Sequence, residues 1–122
     1  MTNPFSDQNK FMKACGHTTA EYNETQYLLY KKLIDEEYSE LQEAIADNDR
    51  VEQLDALIDI LVVTIGAINS MGADAEGAWN EVMRTNFAKI DPETGSVRRR
   101  ADGKILKPDG WTSPQLKQYV EK

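Results

Sequence analysis

Two long segments joined by a short polar turn restrict the fold of this chain more than any other feature. The first runs from about Tyr22 to Ala46 without proline or glycine, and its apolar residues recur at helical spacing. The second runs from about Arg50 to Asn69 and is apolar nearly all the way round from Leu57 to Ile68, which indicates a helix that is buried on several sides. Because the turn at 47–49 is so short, we expect the two helices to lie antiparallel.

Shorter elements flank this hairpin. Ser6 is the expected N-cap of a first helix that ends at Gly16, and a fourth helix is expected from Ala73 or Asp74 to about Ile90. Beyond it, extended pieces with a hairpin turn at 101–104 and a short last helix starting at Ser113-Pro114 are predicted. The predicted fold is all-α, a helical bundle of four main helices with a short extended C-terminal tail. We expect a single domain over 1–122, with its core at about 8–90 and a basic tail at 91–122.

Composition narrows the class of partner. The net charge of −7 argues against nucleic acid or an anionic membrane surface, because both carry negative charge. A nucleotide stays compatible, since carboxylates recruit divalent metal and the metal recruits phosphate. The lone Cys15, expected as a small packed residue, excludes an intrachain disulfide and fits a reducing compartment such as the cytoplasm. No membrane span and no signal peptide are expected.

The carboxylates of the two long helices stand where apolar residues are expected. Glu37 interrupts the apolar side of the first of these helices, with Glu40 beside it on the same face and Glu36 one step to the side. Asp55 and Asp59 are four residues apart in the second helix, within an otherwise apolar stretch. An uncompensated buried carboxylate costs several kcal/mol, and apart from Arg50 at the start of the second segment neither segment carries an arginine, or a lysine after Lys32, to pair with these acids. A divalent cation is the simplest compensation.

The residue types restrict the metal. The single histidine, His17, lies outside both long helices, so neither a Glu-x-x-His di-iron centre nor a zinc site is expected. A loop of EF-hand type is also absent. An all-carboxylate set points to Mg²⁺ or Mn²⁺ and to phosphate chemistry. The alternative is a solvated acidic face on a non-catalytic helical interaction protein.

The order of these residues resembles a known signature. Glu36-Glu37-Tyr38-Ser39-Glu40, followed by Asp55-Ala56-Leu57-Ile58-Asp59, resembles the EExxE…ExxD signature of the all-α NTP pyrophosphohydrolases, which include MazG-like, dimeric dUTPase-like and phosphoribosyl-ATP pyrophosphohydrolase-like enzymes. Asn86-Phe87-Ala88-Lys89 and the stretch 102–108 look like the NxxK and DGKxxKP motifs of a small branch often encoded by phages. The resemblance spans roughly 8–116. It has one departure, because Ala56 stands where the family has a glutamate three residues before the aspartate.

The resemblance implies a Mg²⁺-dependent enzyme, with Mn²⁺ able to substitute, that converts a nucleoside triphosphate to its monophosphate and pyrophosphate. A purine deoxynucleotide such as dGTP or dATP is one expected substrate, and phosphoribosyl-ATP is the rival within the family. The implied metal ligands are Glu37, Glu40 and Asp59, with Asp55 as a further partner, and the implied catalytic residues are Glu36 and Glu37. The implied substrate-binding residues are Asn86, Lys89, Lys104 and Lys107. A homodimer or homotetramer is also implied. For the nucleobase the resemblance suggests the first helix and the start of the second, with Phe11, Asn23 and Tyr27 as candidates.

Overall fold

The computed structural model describes residues 3–120, and these residues form an all-α fold, as predicted. Four main helices are followed by one short helical turn: α1 (Pro4–Ala14), α2 (Glu24–Ala46), α3 (Arg50–Ser70), α4 (Ala75–Phe87) and α5 (Lys117–Val120). Over the same residues, β-structure is limited to isolated bridges, of which Arg99 with Ile105 closes the predicted hairpin of the tail. The last helix begins later than Ser113-Pro114, the predicted start. None of the described helices is both long enough and apolar enough to cross a membrane.

The first helix begins earlier than predicted. Asn3 is its N-cap, Pro4 occupies the first turn, and Ser6 stands at the third helical position instead of the cap. The Asn3 side chain accepts the backbone N–H of Ser6 at 2.8 Å, and the Ser6 hydroxyl faces the backbone N–H of Asn3 in return. This reciprocal capping box satisfies two backbone donors, whereas Ser6 alone would satisfy one. The prediction of Ser6 as N-cap was therefore wrong.

The turn between α2 and α3 sets their antiparallel arrangement. Asn48 adopts a left-handed backbone conformation with φ of 53°, which asparagine tolerates better than most residues. Asp49 then caps α3 by accepting the backbone N–H of Glu52 at 3.1 Å. Further along the hairpin, the Gln26 amide donates to the Ser70 hydroxyl at 2.8 Å. The start of α2 thus faces the end of α3, and the two helices run side by side over their whole length.

The hydrophobic core lies where α1 crosses this hairpin. Met12 of α1 is fully buried and packs with Tyr30 of α2 and Ala67 of α3. The Tyr30 hydroxyl also makes a 2.9 Å hydrogen bond with the ring Nδ1 of His17. Gly66 lets the tyrosine ring lie directly on the α3 backbone, because a Cβ atom there would be 2.8 Å from the ring Cζ and nearer still to Cε1. The fold therefore depends on a close approach of α2 and α3 at this point.

A face of α3 stays exposed in the single chain, although the apolar pattern of its sequence indicates a helix that is buried on several sides. Its large apolar residues Leu54, Leu57, Ile58 and Leu61, named here the α3 stripe, are 44–61% exposed. The whole chain exposes 8818 Å². A compact monomer of 13.8 kDa is expected to expose only about 6,600 Å². The single chain is thus open, with much more surface than its mass requires. Cys15 is likewise exposed and not packed as predicted.

The tail folds back onto α4 through a few specific hydrogen bonds. Glu81 is buried, pairs with Arg84 at 2.8 Å, and accepts the backbone N–H of Gln115 at 2.7 Å. These two interactions lower the pKa of the Glu81 carboxyl to about 2. The Trp111 indole N–H donates to the Thr85 carbonyl at 2.7 Å. The tail is therefore attached to the side of α4, and α4 itself makes only limited contact with α3.

Gly66 offers a test of the close approach between α2 and α3. Gly66→Ala should destabilise the protein by about 1–3 kcal/mol, although alanine is the better helix former, because the buried Tyr30 ring must move. Urea denaturation measures the loss. The same substitution in a Tyr30→Leu background should cost less, since the ring that it meets is gone. An unchanged or raised stability of Gly66→Ala would contradict this packing.

Candidate functional site

The four predicted ligand carboxylates lie on the facing parts of α2 and α3. Glu37 and Asp59 are half-buried, whereas Glu40 and Asp55 are exposed. The antiparallel pairing places the middle of α2 opposite the first half of α3, so acids that are distant in sequence become neighbours. Burial raises the pKa of Glu37, and the neighbouring carboxyls of Glu40, Asp59 and Asp55 raise it further, so the four groups lie close enough to interact. We refer to these four residues as the acidic cluster.

Glu37 is the most perturbed member of this cluster. Burial, the neighbouring Glu40 carboxyl and the charges of Asp59 and Asp55 together raise its pKa to about 7. Glu37 and Glu40 are close enough to share a proton when one of them is protonated, but two ionised carboxylates have no donor to offer each other. In the described part of the chain, Glu37 Oε2 is the one buried side-chain oxygen or nitrogen atom without a hydrogen-bond partner. A buried acceptor in this state is satisfied by a proton, a water molecule or a cation.

Asp59 shows the same signs more weakly. Burial raises the pKa of its carboxyl, and the charges of Asp55 and Glu40 raise it further. Elsewhere on α2, Asp35 does have a cationic partner, since it pairs with Lys31 at 2.7 Å and both side chains are exposed. The ion pairs of the described residues do not include any member of the acidic cluster. The cluster therefore carries uncompensated negative charge.

The cluster is not a preformed coordination shell. Over residues 3–120, no three Asp, Glu, His or Cys side chains are arranged so that they could hold a metal ion together as they stand. Like-charged carboxylates repel each other, which favours splayed side chains in a ligand-free site. The donor types nevertheless match a hard cation, since all of them are carboxylate oxygens. Glu36, the other predicted catalytic residue, is exposed beside Glu37 on α2.

Three of the four predicted substrate-binding residues lie close together at the end of α4. The Lys89 ammonium donates to the Asn86 side-chain oxygen at 3.2 Å. The Lys89 and Lys107 ammonium groups both lie over the Trp111 ring. Lys104 is instead at the tip of the tail hairpin, where its backbone N–H donates to Asp102 at 3.1 Å. The structure thus brings Asn86, Lys89 and Lys107 together, in a group that Lys104 does not join.

The candidates for a nucleobase pocket have structural roles. The Asn23 amide caps α2 by accepting the backbone N–H of Gln26 at 3.1 Å. Tyr27 packs against the core cluster. Phe11 is 60% exposed and borders a cavity of about 430 Å³ between α1 and α3. Asn23 is therefore engaged in a helix cap, and Tyr27 is half-buried against the core.

Comparison with known protein families identifies the family of this chain. A family model described as phosphoribosyl-ATP pyrophosphohydrolase matches residues 8–86, which include α2, α3 and the whole acidic cluster. The chain belongs to this family. It is thus a member of the all-α pyrophosphohydrolases, and its family supports a nucleotide pyrophosphohydrolase type of activity in general terms. No curated protein matches the chain.

A second match to the pyrophosphohydrolase signature was passed over in the sequence. Glu52 stands three residues before Asp55, so Glu52-Gln53-Leu54-Asp55 has the Glu-x-x-Asp spacing that appeared to be missing at Ala56. Ala56 is 3% exposed, so a glutamate would not fit there without opening the contact of α3 with its neighbours. Glu52 is exposed in the first turn of α3, on the same face as Asp55. The signal that identifies Glu52 is the three-residue spacing itself.

The pKa of Glu37 predicts how the stability of the ligand-free protein depends on pH. The folded state binds the Glu37 proton more tightly than the unfolded chain does. The free energy of unfolding should therefore fall as the pH rises from about 4.5 to about 7 and level off above that, with Asp59 adding to the fall. Urea denaturation in the presence of a chelator measures this slope. Glu37→Gln should flatten it, and Glu36→Gln serves as an exposed control; an equally steep slope in Glu37→Gln would contradict the assignment.

Proposed function

We propose that this protein is a Mg²⁺-dependent nucleoside triphosphate pyrophosphohydrolase. Water attacks the α-phosphorus, the bond to the α–β bridging oxygen breaks, and the products are a nucleoside monophosphate and pyrophosphate. The observation that carries the proposal is the acidic cluster, with its unpartnered Glu37 oxygen, inside the segment that matches the family model. A purine deoxynucleotide such as dGTP or dATP is the proposed substrate, on the resemblance to the phage-type branch.

The acidic cluster fits a hard divalent cation. Its donors are carboxylates, its charge is uncompensated, and one buried oxygen has no partner. Glu37, Glu40, Asp55 and Asp59 are the proposed ligands, and Glu52 joins them as a candidate on α3. When bound, Mg²⁺ would offset the charge of the carboxylates and of the substrate phosphates and would favour attack by water.

The remaining roles fall to side chains beside the cluster and on the tail. Glu36, exposed next to Glu37, is the proposed base that orients the attacking water and accepts its proton. Asn86, Lys89 and Lys107 are the proposed ligands of the outer phosphates. Lys104 is also a proposed phosphate contact, but its side chain would have to extend toward the others or come from a second copy of the chain. No covalent nucleophile is needed for this reaction.

Phosphoribosyl-ATP is the second candidate substrate. The family model that matches residues 8–86 carries that name, and the same bond, between the α and β phosphates, is cut in that substrate. The acidic cluster would serve both reactions equally. The two candidates therefore differ only in the part of the ligand beyond the phosphates.

We also propose that the protein works as a homodimer or a homotetramer. The chain exposes roughly 2,200 Å² more than a compact monomer of its mass. Two chains together therefore expose about 4,400 Å² in excess, which lies within the roughly 2,000–5,000 Å² in total that obligate homodimers bury. The α3 stripe, next to the exposed Phe11 of α1, is the apolar surface that a second copy would cover.

A panel of nucleotides tests the reaction. With Mg²⁺, chromatography should show a monophosphate and pyrophosphate without a diphosphate intermediate, and omission of the metal should abolish turnover. Phosphoribosyl-ATP belongs in the panel, together with complementation of a histidine auxotroph. Turnover of phosphoribosyl-ATP alone would select the second candidate, and no turnover of any of these compounds with Mg²⁺ or Mn²⁺ would favour a non-catalytic acidic interaction protein.

Asp59→Asn separates a metal ligand from a surface acid. It should lower turnover by roughly 100-fold or more, as removal of a charge-stabilising group at an enzyme site does. It should also raise the free energy of unfolding without metal, by on the order of 1 kcal/mol, because a repelled half-buried charge is removed. Addition of Mg²⁺ should raise the melting temperature of the wild type and not that of the variant. Asp35→Asn, on the exposed side of α2, is the matched control and should change none of these quantities appreciably.

Sedimentation velocity tests the assembly. The protein should sediment as a dimer or tetramer and not as a 13.8 kDa monomer. Leu57→Glu places a charge in the α3 stripe and should shift the distribution toward monomer. Ile105→Glu, at an exposed apolar position of the tail hairpin, is its control. A single monomeric species of the wild type at micromolar concentration would reject the proposed assembly.

A further inference from the structure

The indole ring of Trp111 lies close to two lysine ammonium groups at once. The Lys107 Nζ is 4.7 Å from the ring centroid, and the Lys89 Nζ is 5.2 Å from it. Both distances are within the range over which the π-face of an indole attracts a cation. The ring itself is held in place, because its N–H donates to the Thr85 carbonyl near the end of α4 at 2.7 Å. Trp111 of the tail therefore contacts both Lys89, which follows the end of α4, and Lys107, which lies in the tail.

Within the described part of the chain, neither of these two lysines has a carboxylate partner. The ion pairs of residues 3–120 involve neither Lys89 nor Lys107. Among the same residues, the polar side-chain partner of this pair of lysines is Asn86, whose side-chain oxygen accepts a hydrogen bond from Lys89 at 3.2 Å. Two ammonium groups at one ring repel each other, and the ring offsets only part of that repulsion. The arrangement therefore attracts an anion that carries more than one negative charge.

A small cavity next to Lys89 is suited to phosphate groups. Its volume is about 160 Å³, and its polar walls include Lys89, Arg98 and Asp91. The Asp91 carboxylate is engaged by the backbone N–H of Glu93 at 2.9 Å. Pockets for ligands of drug size measure about 300–1,000 Å³, so this cavity is too small for a nucleoside. Its size and its two basic side chains fit the phosphate end of a ligand.

We propose that Trp111 is a positioning residue, which holds Lys89 and Lys107 together as a paired cationic site for a pyrophosphate group. The site would take the terminal phosphates of a triphosphate substrate and the inorganic pyrophosphate that is released. This assignment deepens the proposed function and rests on it for the identity of the ligand. Trp111 acts through the two lysines and does not itself stack on a nucleobase.

Binding of inorganic pyrophosphate without any divalent metal tests the site directly. Isothermal titration calorimetry on the full chain should show binding to the wild type. Trp111→Leu should weaken this binding by about five- to tenfold, because the ring that pairs the cations is lost. Trp111→Phe keeps a π-face but loses the bond to Thr85, so its affinity should be intermediate. Trp79→Phe removes the other tryptophan of the chain, which packs against Phe5, and should bind as the wild type does.

A double-mutant cycle distinguishes positioning from a general structural role. Lys107→Gln should weaken pyrophosphate binding in the wild type, but should have much less effect in Trp111→Leu, where the pair is already separated. In turnover assays Trp111→Leu should raise the KM and leave the kcat nearly unchanged, whereas misfolding of part of the sample would lower the apparent kcat and leave the KM unchanged. The melting temperature of Trp111→Phe checks that the fold is retained. Wild-type affinity for pyrophosphate in Trp111→Leu, or additive effects of the two substitutions, would overturn the proposal.

The outcomes also separate this inference from the proposed function. If pyrophosphate binds in a Trp111-dependent way but no nucleotide is hydrolysed, the cationic site stands and the proposed reaction fails. If nucleotides are hydrolysed while Trp111→Leu changes neither the KM nor the affinity for pyrophosphate, the reaction stands and the role of Trp111 fails.

Discussion

The close contact between α2 and α3 is the constraint on which the rest of the structure depends. Ala44, Ala56 and Gly66, all of them buried, are small residues of these two helices that allow a close approach. The same helices carry Glu37 and Asp59, so the packing that forms the core also brings carboxylates together that repel each other. The apolar contacts elsewhere along the hairpin must outweigh this repulsion. The ligand-free protein is therefore less stable than it would be without these charges, as is common where a functional site requires unfavourable charge.

The helices could be predicted largely from the sequence, because their period, their caps and their turn residues all agree. The N-terminus of α1 could not, since Asn3 and Ser6 are both good capping residues and only the reciprocal hydrogen bonds decide between them. The apolar pattern of α3 predicts a helix that is buried on several sides, and the single chain leaves one face of it exposed. An apolar segment shows that a surface avoids water, but it does not show whether the same chain or a second copy provides the cover.

The candidate site was predicted unevenly for a similar reason. The acids of α2 and α3 follow helical spacing, so their convergence could be read from the chain, and the perturbed pKa values of Glu37 and Asp59 agree with that convergence. The tail has no such period. Its lysines were expected as a group, and the structure separates Lys104 from Lys89 and Lys107 through a contact with Trp111 that spacing alone could not show. Whether the predicted ligands bind a metal stays a prediction.

The tail anchor at Glu81 has a consequence for how the molecule responds to acid. The pKa of its carboxyl is lowered from the ordinary value of 4.5 to about 2. The ionised carboxyl therefore contributes its full stabilisation of the tail attachment above about pH 4.5, and this contribution is lost as the pH falls toward 2. Glu37, with a pKa raised to about 7, takes up its proton near neutrality. Mild acidification therefore neutralises the half-buried Glu37 between α2 and α3 at a much higher pH than the one at which Glu81 takes up its proton. The pH can therefore be lowered far enough to protonate Glu37 while Glu81 keeps its charge and its two hydrogen-bonded partners.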